Sequence, residues 1–531
     1  MPAPFGIRIW RSGAAGYYAD EPLQVDDVYT DAELEAIATQ GFNGIWLRVI
    51  LRDVVPTGLF APYVQDAERR LAALQRLGER AEAHGLGVWL YFNEPMCLPA
   101  DSGFWDEHPE CRGIAGSSGM DYWPSTYAAC TSAAPIRQFV RDACRDLFTQ
   151  ARVAGLFLIT AAEHHTHCYS HVSTRGSGTE YEPREAQTCP RCRERSPAEV
   201  VAELADDIRT GVHAGNAGAT VLVWSWRWSL WYDDPHAEII DRLPADTVLL
   251  SNFEDGQPIQ RGARELTCRE YSLGVIGPAP LFEAQAQRAR QRGLRVAAKL
   301  QLGTTHELAT APNLAAVGHV YRKFQAMRQR DLVGYLGTWN FGSSRTANTH
   351  AARKLAAADE PGDEETFCRD LCAAYFGPEA DADKVLEAWQ GFGRALEYHP
   401  LCLKFLYFSP LNYALAYPWP GRRGTRKLSR SWTTDPWGDD LEQSLPPFEI
   451  YEVIALLHNA ATTWQDAARA YRLGLETAAQ RDRADRELAT ADYVYLCLAS
   501  ACNLYTWYAG VLSGQPDAKL DPRLDARSGK A

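Results

Sequence analysis

Eight short apolar runs, each followed by a longer stretch of mixed polarity, constrain this chain more than any other feature. The runs lie at 6–10, 44–51, 87–92, 155–160, 220–226, 247–252, 295–302 and 333–339. Gly, Pro or Asp bound them, and most of the gaps carry helical periodicity, at 31–40, 66–84, 134–151, 197–213 and 281–292 among others. Gly41, Gly85, Gly155 and Gly293 sit where such a stretch hands the chain to the next run, as short αβ turns do. Near-continuous apolar strands alternating with helices read as a parallel sheet covered on both faces. Eight such units predict a (β/α)8 TIM barrel, whose functional site is built where the strands end. The alternative, an open doubly wound sheet, commonly carries a Gly-rich phosphate loop after its first strand, and Arg11-Ser-Gly-Ala-Ala-Gly16 is a poor match to one.

The pattern changes after Gly342. Residues 363–397 and 449–513 read as long amphipathic helices around an irregular stretch, 398–447, rich in Pro, Tyr and Trp. The expected division is a barrel over 1–355 and an α-helical C-terminal domain over 356–531. That helical region suits either a cover over the barrel or pairing with a second copy, so a homo-oligomer is among the expected partners.

The 531 residues carry a net charge of −13, which offers no basic field to a phosphate backbone, and nucleic acid is not an expected partner. No apolar run approaches the roughly 20 residues that span a bilayer, so no membrane association is expected either. The opening residues lack a secretory pattern, and 13 cysteines cannot all pair; several, such as Cys144, Cys368, Cys372, Cys497 and Cys502, lie on helical patterns as small apolar residues. A reducing, cytoplasmic setting is the expectation. The 16 Trp and 24 Tyr are divided between core and flat platforms for a ligand.

Function is sought at the strand ends. Arg11 follows the first run, Arg48 and Arg52 the second, Asn93 and Glu94 the third, and Glu163 with His164 and His165 the fourth. Arg227 and Trp228 follow the fifth, Glu254 and Asp255 the sixth, Glu307 the seventh, and Trp339 and Asn340 close the eighth. Carboxylates among aromatics are what glycoside hydrolysis needs: an acid for the leaving oxygen, a second carboxylate as nucleophile or base, and flat faces for the ring. Glu163 is the leading general acid, because it emerges from an apolar strand beside small residues. Glu307, Glu254 and Asp255 are the candidate second carboxylates. Arg11, Arg48, Asn93, Glu94, His164 and Asn340 are candidate hydroxyl-binding residues, and Trp226, Trp228 and Trp339 candidate platforms. Asn93-Glu94-Pro95 has the form of an acid/base motif of barrel glycosidases, but it follows strand three and reads instead as a binding element.

The loop after Glu163 holds a second pattern. Cys168 and His171 are followed by the knuckle Cys189-Pro-Arg-Cys192, which has the composition of a tetrahedral zinc site. The candidate ligands are Cys168, Cys189 and Cys192 with His171 or a neighbouring His. Such a zinc is structural, with no cofactor needed for catalysis; free thiols and a redox pair are the alternatives.

The segments Cys130-Thr-Ser-Ala-Ala-Pro-Ile-Arg137, the strand ending at Glu163, Cys168 and Cys189-Pro-Arg-Cys192 resemble bacterial barrel proteins related to glycoside hydrolase family 20, as do residues 304–312 and 337–342. The resemblance implies an exo-acting hydrolase of terminal β-linked hexosaminides, with Glu163 as general acid and Trp339 as a wall of the sugar pocket. That family places an Asp before the acid, to orient the substrate's acetamido group, where this chain has Ala162. Either Glu254 or Asp255 takes that part, or Glu307 acts as a protein nucleophile, for which a carboxyl separation of about 5–5.5 Å is required. The expected function is thus hydrolysis of a terminal β-linked sugar, a β-N-acetylhexosaminide or related β-hexoside. An inverting α-glucuronidase-like enzyme, a non-catalytic carbohydrate-binding barrel and a zinc-dependent hydrolase using the histidines are the alternatives.

Overall fold

In the computed structural model the eight runs form one closed parallel barrel. The structure describes residues 5–16, 20–117, 125–171, 188–303, 307–308, 311, 314–339, 341–357, 361–413 and 441–513. The strands are β1 (Ile7–Trp10), β2 (Gly44–Arg48), β3 (Gly87–Phe92), β4 (Val153–Ile159), β5 (Thr220–Trp224), β6 (Val248–Asn252), β7 (Arg295–Lys299) and β8 (Gly334–Leu336). Each pairs with its sequence neighbours, and β8 closes on β1 with Ile7 opposite Gly334 and Ile9 opposite Leu336. Several runs are longer than their strands because apolar residues continue into buried loops; Leu51, for example, opens a helical turn.

The pleat divides each strand between two environments. Ile9, Trp46, Trp89, Tyr91, Phe157, Ile159, Leu222, Trp224, Val248, Leu250, Ala297 and Leu336 fill the barrel interior. Their neighbours, such as Ile45, Leu47, Leu90, Leu158, Val223 and Leu249, pack outward. A Cβ on Gly44 would stand 2.6 Å from the Trp89 indole nitrogen, so glycine there makes room for an indole from the adjacent strand.

The covering helices are α1 (Asp31–Thr39), α2 (Ala67–Ala83), α3 (Ala134–Gln150), α4 (Pro197–Gly215), the short α5 (Ala237–Ile240), α6 (Pro280–Gln291), α7 (Val317–Gln329) and α8 (Ala347–Ala357). Ser196 and Glu199 form a capping box that starts α4. The position expected for a domain boundary, 355, lies in the last turn of α8.

Beyond it come α9 (Glu364–Phe376), α10 (Ala382–Glu397), α11 (Leu403–Phe408), α12 (Ile450–Gly474) and α13 (Arg481–Leu512). These helices join the barrel through side chains: Glu487 accepts from the Ala347 amide at 2.8 Å, and Arg264 pairs with Glu452. No helix among the described residues is long and apolar enough to cross a membrane.

Two insertions rise from the rim. Between β3 and α3 lies a three-stranded antiparallel sheet of Leu98–Pro99, Thr126–Ala129 and Arg112–Gly116, and between β6 and α6 a hairpin of Pro258–Arg261 and Arg264–Thr267.

Candidate active site

Glu163 stands just past the end of β4 with φ at 79°, a left-handed backbone that a residue bearing a Cβ holds at a cost of about 1–3 kcal/mol. Neighbouring groups impose it. The Asn93 amide donates to the Ile159 carbonyl at 3.0 Å and to the Ala162 carbonyl at 3.4 Å, fixing the chain on either side of the turn. The Tyr91 hydroxyl donates to the Glu163 carboxylate at 2.5 Å. Tyr91 is itself held by Phe157, stacked at 5.4 Å, and by the edge of Trp339. Trp339 stacks on Trp46 at 5.0 Å and meets Trp224 edge to face, so the carboxylate sits beside a set of rings closing the top of the barrel interior.

Several other expected residues on this side of the rim make contacts within the fold. Arg11 is fully buried, forks onto Glu21 at 2.6 and 3.0 Å and lies 4.0 Å over Trp46. The Glu21 pair thus holds its guanidinium against the Trp46 ring. Glu94 receives the Leu51 amide at 2.7 Å and the Met96 amide at 3.1 Å, joining the loops after β2 and β3; burial pushes its carboxyl up to about 7. Arg48 and His164 are buried near the mouth. Trp228 has no exposed surface, and its indole donates to Thr160 at 3.0 Å, so it buttresses the end of β4 and is not a sugar platform.

The opposite sector holds the three candidate second carboxylates in different surroundings. Glu254 is fully buried against Lys323 on α7, which donates to it, and it also receives the Gln301 amide at 3.1 Å. Glu307 receives the Ser272 hydroxyl at 2.5 Å and the Leu273 amide at 2.7 Å, while its backbone carbonyl accepts from His399. In each carboxylate one oxygen, Oε1, holds a loop, while Oε2 is buried with no hydrogen-bond partner among the described residues.

Asp255 differs. Asn252 reaches it at 3.4 Å, burial pushes its carboxyl up and Arg227 pulls it down. Arg227 lies 4.3 Å over Trp226 and 4.0 Å from Glu270. The Trp226 indole N–H is buried with no hydrogen-bond partner among the described residues. Asn340 lies outside the described residues.

Sequence reasoning missed four residues of this wall, Glu270, Tyr271, Lys299 and Asn252, and Tyr91 on the Glu163 side. Glu270 is buried, bonded to the Tyr407 hydroxyl at 3.0 Å, and pushed up to about 8 by burial. Lys299 ends β7 beneath Tyr271, 3.8 Å from its ring, and burial lowers it to about 7. Asn252 receives the Trp224 indole at 2.8 Å, and Tyr91 holds Glu163. Tyr91 was accessible from its i+2 relation to Trp89, and Lys299 as a cation within the apolar run 295–302; Glu270 and Tyr271 sit on a loop with no signal. Tyr407 brings the start of the aromatic stretch 398–447 to the site, and residues 414–440 of that stretch lie outside the described residues.

The histidines after Glu163 do not gather around a metal. His165 pairs with Thr126 at 2.7 Å, His167 with the Thr160 carbonyl at 2.8 Å, and His171 accepts from the Trp231 indole at 2.8 Å. Burial lowers His167 to about 4, which keeps it neutral. The residue brought to Cys168, Cys189 and Cys192 is Cys130 in place of His171, and the four sulfurs lie within 4.8 Å of one another.

No protein-family model and no curated protein matches the chain. Among solved structures it is similar to an exo-β-1,4-mannosidase from Opitutaceae bacterium strain TAV5, at 16% identity and TM-score 0.37, over 63% of this chain and 52% of that one, so it spans about half the mannosidase's length. It is similar to a chitobiase from Flavobacterium johnsoniae at 10% identity and TM-score 0.39, over 98% of this chain and 73% of that one. A GH20 exo-β-N-acetylglucosaminidase from Vibrio harveyi matches at 8% identity and TM-score 0.36, over 70% and 58% of the two chains.

Proposed function

We propose that the barrel mouth is the active site of an exo-acting glycoside hydrolase that removes a terminal β-linked sugar, a β-N-acetylhexosaminide or a related β-hexoside. The observation that carries this reading is Glu163: a carboxylate at a strand end, in a left-handed turn enforced by Asn93, held by Tyr91 beside the Trp46, Trp224 and Trp339 rings. Residues in unfavourable backbone conformations cluster at functional sites because the fold must be built around them.

Glu163 donates its proton to the glycosidic oxygen as that bond breaks, then accepts one from the water that completes hydrolysis. Asp255 is the second carboxylate. It accepts a hydrogen bond from the substrate's acetamido N–H, the part that the family resemblance assigns to the position occupied here by Ala162. The acetamido oxygen then bonds to the anomeric carbon as the glycosidic bond breaks, and water displaces it. Trp226 offers an apolar face and an unspent indole N–H to a sugar.

The test is Glu163→Gln assayed on aryl β-N-acetylhexosaminides and β-hexosides. We expect kcat to fall by about 10²–10⁴-fold with sugar binding retained, and the loss to shrink for leaving groups acidic enough to depart unprotonated. Asp255→Asn should slow N-acetylated substrates most. Unchanged turnover in Glu163→Gln overturns the assignment. An inverted product anomer moves it to an inverting enzyme, and sugar binding without cleavage across the panel moves it to a non-catalytic binding barrel.

A further inference from the structure

Cys130, Cys168, Cys189 and Cys192 come from three separate stretches of chain. Cys130 follows the inserted strand Thr126–Ala129, Cys168 lies five residues after Glu163, and Cys189 and Cys192 precede α4. All four are buried. The Cys130 sulfur lies 3.7 Å from that of Cys189 and 3.6 Å from that of Cys192.

Those distances discriminate between chemistries. A disulfide requires about 2.05 Å between sulfurs, so no pair here is bonded. Four thiolates around one zinc at about 2.3 Å stand roughly 3.8 Å apart at tetrahedral angles, close to the spacing seen.

The surroundings suit thiolates. The Arg191 guanidinium donates to the Cys130 sulfur at 3.2 Å, and the Arg191 backbone amide hydrogen-bonds to Cys189. A Cβ on Gly113 would stand 2.8 Å from the Cys168 sulfur, so glycine at that position leaves the space the sulfur occupies.

We propose that these four cysteines form a structural zinc centre that fastens both ends of the β4–α4 loop to the sheet inserted between β3 and α3. Binding exchanges four thiol protons for one zinc ion, with no change in oxidation state; Arg191 offsets part of the resulting negative charge. Zinc tetrahedra of four cysteines have no open coordination position, so the ion ties the loop and takes no part in turnover. The centre completes a set of ties on the segment carrying Glu163. The His165 carbonyl accepts from the Cys97 amide at 2.9 Å, and the His165 ring pairs with Thr126. This assignment holds whether or not the mouth hydrolyses glycosides.

The test is metal analysis of the full chain, expressed with zinc supplied and purified under reducing conditions. About one zinc per chain is expected. Replacement by cobalt(II) should give the intense visible bands of a tetrahedral site and near-ultraviolet thiolate charge transfer. Cys130→Ser should lose metal and His171→Ala keep it, and stripping the ion should expose four thiols to a thiol reagent. Because a cysteine variant can fail to fold, the cobalt spectrum of the unaltered protein is the deciding measurement. Zinc below about a tenth of an equivalent with no cobalt spectrum overturns the proposal, as does iron in place of zinc, or metal lost in His171→Ala and kept in Cys130→Ser.

Discussion

The carboxylates at the end of β4 and those at the ends of β6 and β7 occupy equivalent places in the barrel and do different work. Glu163 meets a phenol and a set of rings from a left-handed backbone. Glu254 and Glu307, in the other sector, meet an ammonium group and a backbone cage. Position on the rim therefore makes a carboxylate a candidate, and the partners gathered by the rest of the chain decide its role. The contrast predicts that Glu163 variants change rate with little change in stability, and that the other carboxylates do the reverse.

The largest effect that could break this contrast lies at Lys323. Lys323→Met removes the ammonium group paired with Glu254 in a site closed to water, leaving only the unpaired influence of Lys299, and should lower unfolding free energy by about 3–5 kcal/mol in a urea titration. Adding Glu254→Leu should recover most of the loss. A stable Lys323→Met protein with altered turnover would instead return Glu254 to the active site.

Glu94 gives a pH signature. Burial raises its carboxyl from 4.5 to about 7, so the folded protein retains a proton that the unfolded chain releases between those values. This group's contribution to stability is therefore full below about pH 4.5 and is lost as pH rises to about 7, a difference of roughly 3 kcal/mol. Comparing Glu94→Gln with the unaltered chain across that window should show the slope flattened in the variant; identical slopes would place Glu94 in contact with solvent and restore it as a binding residue.

The smallest effect belongs to Glu307. Glu307→Gln keeps one acceptor for the Ser272 hydroxyl and the Leu273 amide, and should cost roughly 1–2 kcal/mol with kcat within about threefold of the original. A loss of rate comparable to that of Glu163→Gln would make Glu307 the nucleophile and sharpen the mechanism to double displacement.

The barrel was legible because its evidence is local. Strand and helix periods repeat within a few residues, and Glu163 could be placed at a strand end by counting. The Trp46 and Trp224 rings follow the same alternation, whereas Trp339 lies past the end of β8 and reaches them from the loop. Trp228 misled because proximity to a strand end does not show which way an indole turns, and it turns into the protein to reach Thr160.

By itself, then, the sequence determined the eight-stranded barrel, the helical addition and the place where a site is built, since each rests on spacing along a few turns of chain. Only the tertiary structure decided which charges are spent. Lys323 reaches Glu254 across 69 positions, Ser272 reaches Glu307 across 35, and Cys130 joins Cys189 across 59. Contacts of that range leave no periodic trace, because they depend on how separate strands are set around one closed sheet, and burial then fixes whether a carboxylate, a thiol or an indole holds the fold or faces a ligand.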